Sequence, residues 1–128
     1  MNKKNKNLFI KSCRNFNQYE LNHALVKSCI SGNIDQAKIL LTTPEFRFHA
    51  DIHCGQDSPF GQAYLYNHIE LLKFFIFDMN IQKTEHIDKI LKTSQDEIIG
   101  KMFITRDLKK ELNCNLTNND YENKKFKL

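Results

Sequence analysis

The 128-residue sequence predicts an all-α fold of short, stacked antiparallel helix pairs, and three observations support that reading. Two nineteen-residue segments align without gaps at an offset of 35 residues: HALVKSCISGNIDQAKILL from His23 to Leu41, and SPFGQAYLYNHIELLKFFI from Ser58 to Ile76. Each carries apolar residues at helical spacing, Ile34, Ala37, Leu40 and Leu41 in the first and Ile69, Leu72, Phe75 and Ile76 in the second. Between the helices of each pair, GNID and NHIE set Gly32 and Asn67 where a tight turn calls for positive φ, which glycine takes freely and asparagine tolerates. Helices of about two or three turns do not stand alone in water, so these must bury their stripes on neighbours.

The elements follow in chain order. Residues 1–20 form a basic N-terminal segment whose Leu8, Phe9, Ile10 and Phe16 serve as a cap for the first unit. Residues 21–112 form a single repeat domain. After the first pair, ADIH (Ala50 to His53) corresponds to MNIQ (Met79 to Gln82) at an offset of only 29, so the first unit carries six extra residues within Thr42 to His49. Ser58-Pro59 is an N-cap followed by proline at the first helical position of the second unit. Thr84 to Lys92 can form a short helix, and Ser94-Gln95-Asp96-Glu97 offers a capping box for a last one. In that last helix Ile98, Ile99, Met102 and Phe103 are expected on the buried side, extended by Leu108 and Leu112 and weakened by Gly100. Lys101, Arg106, Lys109 and Lys110 are expected in solvent, making this a modified terminal cap. Residues 113–128, polar and rich in asparagine, read as a frayed C-terminal tail.

These residues resemble the ankyrin-repeat family, in a divergent form met in microbial and viral proteins, most closely over residues 21–82. The resemblance rests on GNID with KILL, on ADIH with CGQDSPFGQAY, on NHIELLKFFI and on MNIQ. It implies a short ankyrin-like repeat solenoid of antiparallel helix pairs with modified terminal caps, whose projecting loops and first helices contact a partner protein. The family's usual T-P-L-H stands here as Ser58-Pro59-Phe60-Gly61, which removes the histidine side chain at that place.

The stretch FHADIHCGQD, Phe48 to Asp57, sets a metal reading against a structural one. His49, Asp51, His53 and Cys54 are all residue types that bind zinc. The alignment instead puts Ala50 to His53 in an extended turn, where neighbouring side chains diverge, and the equivalent MNIQ has lost both histidine and thiol. The expectation is a scaffold turn in which Asp51, and Asn80 in the next unit, satisfy local backbone donors, Gly55 relieves strain, and Asp57 supports the helix start. Neither Cys29 with His23 nor Cys54 with His53 comes with an orienting group or oxyanion donor, and no phosphate loop or metalloenzyme motif is present. No catalytic residue, cofactor or metal is expected, and the chain is read as a non-enzyme.

Charge is segregated. Residues 1–14 hold Lys3, Lys4, Lys6, Lys11 and Arg14 with no acid, whereas residues 15–105 hold eight basic and eleven acidic side chains. A broad nucleic-acid face on the folded body is therefore not expected, although the basic segment can make weak, salt-sensitive contacts. Cys13, Cys29, Cys54 and Cys114 include no C-x-x-C pair and read as reduced thiols, pointing to a cytoplasmic or host-intracellular protein. No apolar run has the length of a membrane span, and the N-terminus lacks a secretory pattern, so no membrane partner is expected.

The leading functional expectation is a non-catalytic protein-interaction module, such as a small microbial or viral effector or inhibitor of a host protein. Its candidate binding surface is Arg47, His53, Gln56, Asp57, Gln62, Tyr64, Tyr66 and Gln82. The alternatives are a nucleic-acid-associated accessory protein using the basic N-terminus, and a structural or self-assembling repeat protein, including a homodimer formed through uncovered repeat faces.

Overall fold

The computed structural model describes the backbone of residues 1–94 and 97–126, with side chains through residue 94 and from 97 to 113. Gln95 and Asp96 of the Ser94 to Glu97 capping box, the Cys114 side chain and Leu128 lie outside the described residues. The fold is all-α, and no strand occurs among the described residues. Among the described residues seven helices follow one another: α1 (Lys3–Cys13), α2 (Gln18–Ser31), α3 (Ile34–Thr42), α4 (Cys54–Leu65), α5 (Ile69–Lys73), α6 (Glu85–Ser94) and α7 (Glu97–Phe126). A π-helical turn at Phe74–Asp78 continues α5.

Local chemistry explains most boundaries. Asn17 caps α2 with its side chain on the Glu20 N–H, and Glu20 returns the bond to the Asn17 N–H, a complete capping box. Asn33 caps α3 through the Gln36 N–H at 3.1 Å. Gly32 and Asn67, one in each interhelical turn, hold left-handed backbone at φ 75° and 59°. The two turns also touch: His68 donates from Nε2 to the Ile30 carbonyl at 2.9 Å, and its ring occupies the space beside Gly32.

The helices stack in a row of α2, α4 and α6, with α3 and α5 paired behind α2 and α4. At the two ends, α1 packs on α3, and α7 packs on α6 and on the π-helical turn. Leu25, Cys29, Leu40, Phe60, Ala63, Leu72, Phe75, Ile76 and Ile87 are fully buried and form one continuous core. The inserted segment after α3 is tied to this body. Phe46 buries its ring, the His49 imidazole donates from Nε2 to the Thr43 carbonyl at 2.8 Å, and the Ala50 N–H returns to the Leu40 carbonyl. In the second unit the Ile81 N–H makes the corresponding bond to Phe75, so the backbone aligns Ala50 with Ile81, where the sequence alignment pairs it with Met79.

Helix α7 differs from expectation in its details. Ile99 and Phe103 are buried, but Ile98, Leu108 and Leu112 are exposed, because α7 presents only one narrow face to the stack. Arg106, expected in solvent, is buried: its guanidinium donates to the Ile81 carbonyl at 2.5 Å and to the Ile76 carbonyl at 3.4 Å, and stacks 4.9 Å from the Phe103 ring centre. The chain leaves the helical ladder between Ile76 and Ile81, which exposes carbonyls that a planar, multi-donor cation can satisfy together.

Candidate interaction groove

Helix α4 begins irregularly. Gly55, Gln56 and Asp57 form three successive left-handed residues, at φ 57°, 57° and 62°, before the regular helix that carries Pro59 and Phe60 inward. This turn drives Asp57 into the interior. Asp57, expected on the binding surface, is only 2% exposed, which corrects that assignment. Its carboxylate accepts from His53 Nδ1 on one oxygen and from the Thr84 hydroxyl on the other, and His86 Nδ1 lies 3.5 Å from the second oxygen. Thr84 in turn caps α6 by accepting from the Ile87 N–H at 3.3 Å. A buried carboxylate thus joins the loop before α4 to the start of α6.

That junction sets the spacing of α4 and α6, and between them lies an open groove of about 630 Å³ with mainly apolar walls. Gln56, Gly61, Gln62, Tyr64 and Leu65 line it from α4, and His86, Lys89, Ile90, Thr93 and Ser94 from α6. Leu65 is 70% exposed although it belongs to a helix facing its neighbour. A Cβ built on Gly61 would find only Ile90 Cδ1, at 3.7 Å, so the glycine leaves the groove floor open. Tyr64 closes one end by donating its hydroxyl to Ser94 Oγ.

Of the candidate surface residues, the groove brings together Gln56, Gln62 and Tyr64. His53, half-buried, faces Asp57. Arg47, Tyr66 and Gln82 are exposed but do not line the groove, and Tyr66 lies beside the His68 ring at 6.4 Å. Asp51 accepts from the His53 N–H at 2.9 Å, whereas Asn80, left-handed at φ 53°, accepts from the Lys110 ammonium on α7. Sequence reasoning missed the whole α6 wall. The available signal was the helical spacing of His86, Lys89, Ile90 and Thr93 at and just beyond the short helix expected over Thr84 to Lys92.

The residues weighed as zinc ligands diverge. His49 bonds to Thr43, Asp51 to the His53 backbone, and His53 to Asp57, and among the described residues no group of three His, Cys, Asp or Glu side chains is placed to hold a metal ion. Burial, then the negative charge of Asp51, pushes the Cys54 thiol above its ordinary value, which lowers its thiolate fraction. Burial acts more strongly on Cys29, pushed up to about 12. Among the described residues no helix is long and apolar enough to cross a membrane.

Comparison with family models, with curated proteins and with solved structures yields no match. Fold and groove together define a class only: an all-α stack of helix pairs with an open groove between two stacked helices.

Proposed function

We propose that this chain is a non-catalytic protein-interaction module, a short ankyrin-like repeat stack that receives a segment of a partner protein in the α4–α6 groove. The carrying observation is Gly61. A glycine inside a helix costs about 1 kcal/mol relative to alanine, and nothing nearby forbids a methyl group there, so its position on the groove floor favours access over stability. Exposed Leu65, half-buried Ile90, the Gln56 and Gln62 amides and the Lys89 ammonium supply apolar contact surrounded by adaptable polar groups. Burial raises the Cys54 thiol and lowers its thiolate fraction, which supports a binding role over thiol catalysis. In this reading the partner is a cytoplasmic or host protein whose own interaction surface is occupied.

Affinity capture from cell lysate tests the reading with three chains checked for equal cooperative unfolding: intact, Gly61→Leu, which fills the groove, and Gly100→Ala, on the far helix where a Cβ meets nothing within 4 Å. A protein retained by the intact and Gly100→Ala chains and lost by Gly61→Leu is expected. Equal recovery by the intact and Gly61→Leu chains, or no recovery by any, overturns it.

A further inference from the structure

Helix α1 carries a second surface, independent of the groove. At 3.6 residues per turn, Lys3, Lys4, Asn7, Lys11 and Arg14 fall within an arc of about 100°, since Arg14 continues the helical backbone as the C-cap. All five side chains are exposed. Phe9, Ile10 and Cys13 occupy a different arc and pack against the core, and α1 itself packs on α3. The fold therefore holds the cations outward on a helical element about 16 Å long.

Their charges are uncompensated. Lys73, Lys83, Lys92, Lys101 and Arg106 each pair with a carboxylate, but none of Lys3, Lys4, Lys11 and Arg14 does so among the described residues. The nearby acids are engaged elsewhere. Asp35 accepts from the Met1 ammonium at 2.8 Å, and its carboxyl is held below its ordinary value by that bond, with Lys6 and Lys38 adding to the effect. Glu20 is committed to the α2 capping box.

We infer that this face binds the phosphate backbone of nucleic acid, without sequence preference. Four cations on one helix face form a local positive patch of the kind that neutralises backbone phosphates. The arc has no aromatic side chain for base stacking, and none of its five residues lines a cleft that would receive a protein side chain. Lasting contact with an anionic bilayer needs apolar surface to bury, and on α1 only Leu8 is both large, apolar and exposed. The net negative charge of residues 15–105 disfavours contact through that part of the chain.

Fluorescence anisotropy of a labelled 20-base-pair duplex, titrated with the full chain and with a Lys4→Ala/Lys11→Ala variant, tests this. With four phosphates neutralised, log K falls against log salt with a slope of about −3.6, which is a loss of about 150-fold between 50 and 200 mM salt. The variant retains about half that slope and loses only about 12-fold over the same range. Alanine at two exposed helical positions preserves α1, which circular dichroism checks. Absence of duplex binding at 50 mM salt, an unchanged slope in the variant, or binding to phosphatidylserine vesicles but not to duplex overturns the assignment.

Discussion

Thr84 donates its hydroxyl hydrogen to Asp57 at 2.5 Å, linking α6 to the left-handed turn that opens α4. The two residues are 27 positions apart, and the bond ties together the two elements that wall the groove. Thr84→Val loses this bond and the α6 cap and is expected to cost about 1–3 kcal/mol. Asp57→Ala leaves Thr84 and His53 without their acceptor and costs about as much or more. A double-mutant cycle by urea unfolding should return a coupling of at least about 0.5 kcal/mol; additive losses would show that the bond contributes nothing.

Arg106 closes the other end of the stack by satisfying two carbonyls at once and covering the Phe103 ring. Arg106→Met, which keeps length and removes the donors, is expected to lower stability by about 2–3 kcal/mol. Arg106→Lys should recover only part of this, because an ammonium lacks the planar fork. Equal stability of the arginine and lysine chains in urea unfolding would contradict the geometry.

Gly32 and His68 are matched across consecutive turns. A Cβ at Gly32 would lie 2.5 Å from His68 Nδ1, and the backbone there is left-handed. Gly32→Ala therefore displaces the His68 ring as well as straining the turn, whereas in a His68→Ala background the same change should cost only the backbone penalty of about 1 kcal/mol. Thermal unfolding of the four chains separates the two contributions.

Gly61 makes the opposite prediction. Its methyl-sized space and helical backbone lead us to expect that Gly61→Ala stabilises the protein by about 0.5–1 kcal/mol. A loss of stability in urea unfolding would mean that the groove floor is closed in solution.

Cys29 makes stability fall in alkali. Its ordinary value is 9.0 and its folded value about 12, so the folded state holds the proton more tightly. Its contribution is complete below pH 9.0 and is lost as pH rises towards about 12, at up to about 1.4 kcal/mol per pH unit. Cys13 and Cys54, also raised, act on the same limb. Denaturation midpoints between pH 8 and 11 should fall less steeply for Cys29→Ala than for the parent chain, and parallel curves would refute the assignment.

How much of this was legible in the sequence depends on range. The helices were legible because their signal is local: the spacing of Leu40 and Leu41, or of Leu72, Phe75 and Ile76, marks a buried stripe whatever it packs against. The candidate groove was legible on one wall only. Gln56, Gln62 and Tyr64 stand in the repeat that the alignment exposed, but Lys89 and Ile90 join them through a helix contact some thirty residues away.

An all-α chain of short amphipathic helices with a basic first segment can be read from residue order alone, since periodicity and charge order are properties of neighbouring residues. The fate of the polar side chains was settled by packing between distant segments. Asp57 is buried because His53 and Thr84 converge on it, Arg106 is buried because two carbonyls are left unpaired beside it, and Lys3, Lys4, Lys11 and Arg14 share a face because α1 is helical and anchored by its other side. A polar group goes inside only where partners from distant segments repay its desolvation, and that condition is set by the assembled fold.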